Sequence, residues 1–316
     1  MKVTDHLKKT GEVMFSFEII PPARGKSLTD ITDIVEELQQ FDPPFIDVTG
    51  HPAEASYDEL NDGTIKRRIR RKRPGTIGIS GVIQNRYNID TVAHLLCRGF
   101  TREETEDAMI ELNYLGIQNL MALRGDETIY LKGLKNGTTA NDFAIDLVKQ
   151  IQDLKKGKYL EEILNSHPID FCIGVAGYPE KHFESPNLKT DIQYLKQKVE
   201  AGADYIVTQM FFDNTHFYQF LELCDKSGIR VPIIPGLKIL NNISQLNNIP
   251  RKFYVNFPEE LVDKVMAFPE DAKSIGIEWG VRQSEELISN GQRHLHYYVM
   301  NDVAAVSKVL TECRCR

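Results

Sequence analysis

The sequence predicts an α/β protein folded as a (β/α)₈ barrel, in one domain over residues 1–316 with its core at about 13–312. Eight short apolar, β-rich segments recur along the 316 residues, and amphipathic helical patterns separate them. A spacing of about 40 residues per strand–helix unit suits such a barrel. No Pro- or Ser-rich linker divides the chain. An open doubly wound sheet is the alternative arrangement.

The expected strands are short runs, and several of them are apolar almost throughout. Such runs are typical of a parallel sheet that is covered on both faces. Strands are predicted at residues 13–20, 45–49, 91–96, 119–123, 169–176, 205–209, 231–235 and 294–298.

Helices are expected between these strands, where apolar side chains recur every three to four residues. Thr101 and Glu104 have the spacing of a capping box at the start of one helix. Gly202 and Gly228 stand where helix C-caps are expected. Glycines weaken the helical pattern of residues 74–87 and leave that assignment open. Helices are predicted at residues 28–39, 102–115, 141–154, 191–201, 215–227 and 302–313.

Composition argues against several classes of protein. The chain has 38 Lys+Arg against 45 Asp+Glu, a formal charge of −7, whereas a generic nucleic-acid binder usually needs a basic face. Hydrophobic residues at 41% and charged residues at 26% are ordinary for a globular domain. The start of the chain lacks a signal-peptide pattern, and no run of about 18 apolar residues occurs. We therefore expect a cytoplasmic protein with no membrane span, reduced cysteines and no metal site.

The first predicted strand carries the best candidate for acid–base chemistry. Side chains alternate along a strand, so Phe15, Phe17 and Ile19 share one face while Ser16 and Glu18 share the other. The apolar face suits the surrounding helices, which directs Glu18 into the barrel mouth, where active sites of this fold lie. A carboxyl among apolar neighbours, with no obvious cation beside it, should have the raised pKa of a general acid. A salt-bridged structural glutamate is the alternative.

Other motifs are less specific. Arg124, Gly125 and Asp126 follow a predicted strand and offer a cation, a close-approach backbone and a carboxylate, but an ordinary turn has the same pattern. Residues 25–27 read GKS, without the earlier glycine of a Walker loop. The glycines in residues 75–81 do not have the G-x-G-x-x-G spacing. A nucleotide cofactor must therefore bind by another route.

Two patterns have both a functional and a structural interpretation. The run KRRIRRKR at residues 66–73 is a solvated stretch or a weak nucleic-acid patch. On the active-site side of a barrel it would instead attract a polyanionic substrate tail. His294 and His296 would share one face of a strand, as metal ligands can, but no third ligand is evident. Packing and hydrogen bonding are therefore favoured for the two histidines.

Taken together, the segments resemble the 5,10-methylenetetrahydrofolate reductase family, in the bacterial form that consists of the catalytic barrel alone. The resemblance runs in order through residues 13–312, in SFEIIPP, IDVTGHPA, ALRGD, AGYPE, AGAD, TQMFF and IPG. It implies a (β/α)₈ barrel that holds FAD without a Rossmann fold. The implied activity is reduction of methylenetetrahydrofolate to 5-methyltetrahydrofolate, which supplies methyl groups for methionine synthesis. NADH or NADPH would reduce the flavin and leave before the folate binds.

The resemblance also implies roles for particular residues. Glu18 would be the general acid that protonates the imidazolidine ring of the folate, and Asp126 would stabilise the resulting cation near flavin and pterin. Gln209 and Gln245 would contact the folate. The implied FAD contacts are Thr49, His94, Arg124, Gly125, Asp126, Ala144, Tyr178, His182, Asp191 and Lys198.

The chain departs from the family pattern at several places, and two of these departures concern the folate. Asp302 follows Asn301 where bacterial members have a basic residue, and an acidic group cannot repeat a cationic contact to folate. The run at residues 66–73 has no counterpart, and our hypothesis is that it receives the polyglutamate tail of the folate. No 2′-phosphate signature separates NADH from NADPH.

The expected partners are small molecules and further copies of the chain in a homo-oligomer of unspecified size, without nucleic acid or membrane. Two other classes remain as alternatives. A folate-binding barrel methyltransferase would need a corrinoid partner and no flavin, and a nucleic-acid-binding protein would use the basic run.

Overall fold

The computed structural model describes residues 1–9, 11–126, 137–300 and 302–314. Its strands are β1 Met14–Ile19, β2 Phe45–Val48, β3 Glu54–Glu59, β4 Ile65–Arg70, β5 Asp90–Leu96, β6 Asn119–Leu123, β7 Cys172–Gly177, β8 Tyr205–Thr208, β9 Ile233–Ile234, β10 Gly236–Leu237 and β11 His294–Met300. Its helices are α1 Val3–His6, α2 Thr29–Gln39, α3 Thr76–Tyr87, α4 Arg102–Tyr114, α5 Ala144–Leu154, α6 Leu188–Glu200, α7 Asn214–Lys226, α8 Gln245–Phe253, α9 Glu259–Ala267, α10 Ala272–Ser289 and α11 Val303–Arg314.

Nine of these strands form one parallel sheet, in the order β10-β11-β1-β2-β5-β6-β7-β8-β9. The two strands at its ends are consecutive in the chain, because β9 pairs with β8, β10 pairs with β11, and Pro235 alone separates them. Proline has no N–H for the ladder, but the carbonyl of Pro235 accepts the backbone N–H of His296 at 3.0 Å. β9 and β10 therefore occupy one strand position, and the sheet closes into the expected eight-position barrel.

The strands and helix caps agree well with the sequence pattern. All eight predicted strand segments are confirmed. The capping box is also confirmed, because the backbone N–H of Glu104 donates to Thr101 Oγ1 at 3.1 Å and the N–H of Thr101 donates to the Glu104 carboxylate at 2.9 Å. Residues 74–87, which the pattern left open, contain helix α3. α5 starts at Ala144 rather than 141, because Asp146 accepts the backbone N–H of Phe143 at 3.0 Å.

Sequence patterns did not identify the antiparallel hairpin β3–β4 or the helices α1, α8, α9 and α10. The hairpin contains most of the basic run, and every residue of β4 is exposed. Its strands do not alternate between apolar and polar residues in the usual way, because they cover no core.

The interior of the barrel is closed at its N-terminal end. Val3 of α1 packs into a buried cluster with Phe45, Val92, Met121 and Tyr205. The outward faces of the strands pack on the helices, as predicted for the apolar face of β1. Among the described residues this packing leaves the opposite end of the barrel, which we call the mouth, for a ligand to enter. None of the helices in the described ranges is long and apolar enough to cross a bilayer.

Candidate active site

Three ionisable side chains from adjacent strands meet inside the mouth. Glu18 of β1 and Asp47 of β2 are direct partners across the two strands, and His94 comes from β5. His94 Nε2 lies 3.1 Å from Asp47 Oδ2 and 3.8 Å from Glu18 Oε2. The side chains of Asp47 and His94 are buried, and that of Glu18 is 15% exposed towards the open end. Strand alternation thus places Glu18 as predicted.

Burial raises the pKa of Glu18 to about 7, and the opposing charges of His94 and Asp47 modify that effect. This raised pKa agrees with the sequence-based expectation. The expectation that no cation lies beside Glu18 was wrong, because His94 and Lys238 both lie close enough to lower its pKa. The sequence alone did not show this, because both groups approach from other strands.

Lys238 is the site residue that sequence patterns missed most clearly. It follows β10 and is buried, with Nζ donating a hydrogen bond to the carbonyl of Tyr298 at 3.0 Å. Burial lowers the pKa of Lys238 to about 8, although Asp302 and Glu18 oppose that effect. The sequence did contain a signal for Lys238. It lies two residues after Gly236, and residues two apart on an extended chain face the same side, so Lys238 and Gly236 share one face.

The two histidines of β11 have structural partners. Ser16 Oγ lies 2.8 Å from His296 Nδ1 and 2.9 Å from His294 Nε2, and His294 stacks on Phe45. Burial lowers the pKa of His294 to about 3 and that of His296 to about 4, so both are neutral. The described residues contain no group of three or more His, Cys, Asp or Glu side chains that could hold a metal ion. Packing and hydrogen bonding therefore account for the pair, as the sequence favoured.

A second cluster lies around the residues after β6 and β7. Arg124 pairs with Glu184, and its guanidinium lies over the ring of Phe143 with 4.8 Å to the centroid. Arg124 Nε is buried and has no hydrogen-bond partner among the described atoms. Gly125 has a φ of +89°, which glycine adopts without strain. The backbone thus turns sharply beside an arginine that has an unused donor.

Four more of the implied FAD contacts belong to this cluster. The buried carboxylate of Asp191 accepts the backbone N–H of His182 at 3.1 Å, and the rings of Tyr178 and His182 meet edge-on with centroids 4.7 Å apart. Lys198 Nζ donates to the carbonyl of Ala176 at 2.7 Å, and burial lowers its pKa to about 8. These side chains form a half-buried polar surface beside Arg124.

The three remaining implied FAD contacts are Thr49, Ala144 and Asp126. Thr49 Oγ1 is 3.0 Å from His51 Nε2, at the end of β2. Ala144 is the first residue of α5, next to the Phe143 ring that Arg124 covers. Asp126 is 82% exposed on the rim and lies 4.0 Å from Lys252.

The two predicted folate contacts lie further around the mouth. Gln209 directly follows β8, and its side-chain oxygen accepts the backbone N–H of Met210 at 2.9 Å. Gln245 is the first residue of α8, and its side-chain oxygen accepts the N–H of Asn241 at 2.8 Å. Each glutamine therefore keeps its amide N–H groups for another partner. No hydrogen bond joins Gln245 to Glu18 or Gln209 among the described residues.

Asp302, the departure from the family pattern, is paired with Lys273 at 2.8 Å. It also lies near Lys238, whose pKa its charge raises. Asn301 lies outside the described residues.

The base of the basic hairpin packs on loops at the mouth. Arg73 Nη1 donates to the carbonyl of Pro21 at 2.6 Å, and the guanidinium of Arg71 lies 5.3 Å from the centroid of the Phe100 ring. Pro21 follows β1 and Phe100 follows β5, so the basic run lies on the active-site side as predicted.

Comparison with known proteins agrees with this geometry. Residues 2–314 match the sequence model of the family described as methylenetetrahydrofolate reductase. The chain is 30% identical to methylenetetrahydrofolate reductase 1 of Schizosaccharomyces pombe, over 98% of this chain and 48% of that protein. It is also 30% identical to 5,10-methylenetetrahydrofolate reductase of Buchnera aphidicola, over 95% of this chain and 91% of that protein. The chain thus spans about half the length of the eukaryotic relative and most of the bacterial one.

A solved structure shares the fold. A protein from Clostridium thermocellum described as binding two copies of 5-methyl-5,6,7,8-tetrahydrofolic acid superimposes with a TM-score of 0.58 at 13% identity, over 96% of this chain and 95% of that one. At that identity the likeness supports the barrel fold alone. The family match over nearly the whole sequence is the stronger finding, and this chain belongs to the methylenetetrahydrofolate reductase family.

Proposed function

We propose that this protein reduces 5,10-methylenetetrahydrofolate to 5-methyltetrahydrofolate, with NADH or NADPH as electron donor and FAD as the bound cofactor. The observation that carries the proposal is Glu18, a carboxyl with a pKa of about 7 in the mouth of a barrel from this family. A general acid is most effective when its pKa lies near the working pH. The product would supply methyl groups for methionine synthesis.

The second cluster suits a dinucleotide with a pyrophosphate. Arg124 and Lys198 offer cations, and Arg124 keeps a buried N–H without a partner among the described atoms. Ring surfaces are available at Tyr178 and His182. We propose that these residues hold FAD together with Thr49, His94, Gly125, Asp126, Ala144 and Asp191. When bound, the flavin would accept a hydride from the nicotinamide and later deliver one to the folate.

Glu18 would then supply the proton that the reaction consumes. Its protonated carboxyl donates to a nitrogen of the imidazolidine ring, the adjacent C–N bond opens, and a cationic iminium forms on the folate. The carboxylate of Asp126 on the rim would stabilise this cation. Gln209 and Gln245 would orient the pterin through their amide N–H groups. Because nicotinamide and folate would use the same open mouth, they would bind in turn.

The visible spectrum and the two half-reactions test the proposal. The purified protein should bind FAD and show the absorbance of a flavoprotein. In Glu18→Gln, flavin reduction by the nicotinamide should stay within about twofold, while reoxidation by methylenetetrahydrofolate should fall by about 10²-fold or more. A protein that stays colourless with FAD contradicts the proposed cofactor. An equal loss in both half-reactions contradicts the acid role of Glu18.

A further inference from the structure

A fully buried carboxylate stands behind the Glu18–His94 pair. The Asp47 side chain is 1% exposed, and its Oδ2 faces His94 Nε2 at 3.1 Å. The same nitrogen lies 3.8 Å from Glu18 Oε2, too far for a hydrogen bond. Among the described atoms Asp47 Oδ1 has no hydrogen-bond partner, so the contact with His94 is what compensates this carboxylate. The same ring nitrogen thus makes its hydrogen bond with Asp47 and has only a longer-range electrostatic contact with Glu18.

We propose that Asp47 is a positioning residue. Its charge lets the Glu18–His94 pair hold two titratable protons at neutral pH. One of them gives His94 a second ring proton, with an N–H towards Asp47, and the other is on Glu18 for donation. The inference rests on the proposed function and adds a residue to its proton chemistry. A buried negative charge favours protons on neighbouring groups, and solvent ions screen it little. Without that charge the pair would hold one proton, shared between carboxyl and imidazole.

The state of His94 decides whether Glu18 can act as an acid. Burial by itself lowers the pKa of His94, but the hydrogen bond to Asp47 and the charges of Glu18 and Asp47 raise it above its ordinary value. A His94 ring with a bare Nε2 would accept the proton of Glu18, and the resulting ion pair would have none to give the folate. With Asp47 accepting a hydrogen on Nε2, as the proposal requires, that nitrogen cannot take the proton of Glu18.

Other ionisable groups around the pair do not replace Asp47. Burial lowers the pKa of His296 to about 4, and burial together with Arg73 lowers that of His51, so both rings are neutral near pH 7. Burial raises the pKa of Tyr205 and of Tyr298 well above the ordinary value, so these phenols keep their protons. Lys238 is a cation and opposes protonation of Glu18. Asp47 is therefore the buried anion that favours both protons.

The protons that Glu18 gives up and takes back balance in each turnover. One proton passes from Glu18 to the ring nitrogen of the folate as the C–N bond breaks, while His94 keeps its own. Solvent returns a proton to Glu18 through the mouth after the product leaves. Asp47 touches neither substrate nor flavin in this scheme.

The variant Asp47→Asn tests the inference, with Asp90→Asn as its matched control. Asp90 forms a second, partly buried aspartate–histidine contact of β5, 2.7 Å from His6 at the closed end of the barrel. In ¹⁵N NMR spectra of the flavin-free protein at pH 7, with the signal assigned through His94→Gln, His94 should carry two ring protons in wild type. It should lose one in Asp47→Asn and keep both in Asp90→Asn.

The pH profile provides a second readout. In Asp47→Asn, the pH above which the folate half-reaction slows should fall by about one unit or more, while flavin reduction by the nicotinamide stays within about twofold. Asp90→Asn should leave that midpoint in place. An unchanged ring signal or an unchanged midpoint in Asp47→Asn overturns the inference.

The NMR result is independent of catalysis, so it separates this inference from the proposed function. If Glu18→Gln leaves the folate half-reaction intact, the proposed function fails, whereas the proton count on His94 still decides the role of Asp47. If Asp47→Asn does not fold, the NMR spectrum of the wild-type protein tests the inference by itself, because a His94 ring with a single proton at pH 7 contradicts it.

Discussion

The ring of Tyr205 occupies the space that Gly174 leaves inside the barrel. The two residues are partners across β7 and β8, and a Cβ at position 174 would lie 2.5 Å from Cζ of the tyrosine. Tyr205 is completely buried and belongs to the cluster that fills the closed end. Because a large ring and a glycine face each other there, the lower barrel has no room for a ligand. The proposed chemistry would therefore take place in the layer of Glu18, Asp47 and His94 above it.

Gly174→Ala should therefore destabilise the fold. The added methyl group must push the Tyr205 ring or the backbone aside, and such overpacking costs about 1–3 kcal/mol. Gly78→Ala is the matched control, because Gly78 is an exposed residue of α3 and a Cβ there would meet no atom within 4 Å. That control should gain about 0.5–1 kcal/mol from helix propensity. Urea unfolding measures both changes, and equal stability of the two variants would contradict the packing argument.

The barrel was predictable because its strands are covered on both faces, so each appears in the sequence as an apolar run. Pro235 did not obscure β9, which lies within the predicted segment 231–235, but β10 lies beyond the end of that segment and was not predicted. The hairpin β3–β4 was not predictable by the same rule, because its residues cover no core. Helix α3 was left open because three glycines weaken its pattern, and packing rather than propensity stabilises it.

The candidate site was predictable only in part. Alternation along β1 placed Glu18 in the mouth, because that argument needs one strand only. Asp47 is also on the inward face of its strand. Its role, however, depends on the register of β2 with β1 and on the approach of His94 from β5. Lys238 follows a two-residue strand, and a hydrogen bond from its Nζ to the carbonyl of Tyr298 holds it at the site. Such relationships between strands cannot be read from one segment.

Glu18→Gln should change stability in a pH-dependent manner. In the folded protein Glu18 holds its proton up to about pH 7, whereas the ordinary pKa of a glutamate carboxyl is 4.5. The folded state therefore binds more protons between these values, and the stability of wild type falls as the pH rises through this window. Glutamine cannot ionise, so the variant should gain about 1–3 kcal/mol relative to wild type between pH 4.5 and pH 8.

Chemical denaturation at several pH values measures this difference. Glu270→Gln, which changes an exposed glutamate in the turn before α10, is the control and should differ from wild type by the same small amount at each pH. A constant difference between Glu18→Gln and wild type across the pH range would mean that the carboxyl is not held protonated by burial.

Gln209→Ala should weaken folate binding while FAD is retained. The side-chain oxygen of Gln209 is already used by the N–H of Met210, so the ligand would be bound through the amide N–H groups. Loss of one such hydrogen bond costs about 1–1.5 kcal/mol, or about tenfold in KM for the folate. Steady-state kinetics and the flavin content of the purified variant measure the two effects. Gln40→Ala, at the end of α2, should change neither, and loss of FAD in Gln209→Ala would reassign Gln209 to the cofactor.

The basic hairpin should distinguish polyglutamate from monoglutamate folates. Lys66, Arg68 and Arg70 alternate along one face of β4, and the contacts that fix the base of the hairpin belong to later residues. Replacing these three by glutamine should lower the preference for a polyglutamate over a monoglutamate substrate about tenfold. Each exposed ion pair between the hairpin and the tail would contribute about 0.5 kcal/mol. KM for the monoglutamate form should stay the same, because that substrate lacks the tail.

The matched control removes the same charge elsewhere, in a triple variant with glutamine at positions 156, 158 and 226. Lys156 and Lys158 follow the end of α5, and Lys226 ends α7. In a barrel of alternating strands and helices these helix ends lie on the closed side, away from the mouth. The control should therefore keep the polyglutamate preference. Equal affinity changes for both substrate forms in the hairpin variant, or an equal effect in the control, would show that net charge rather than a tail-binding site is responsible.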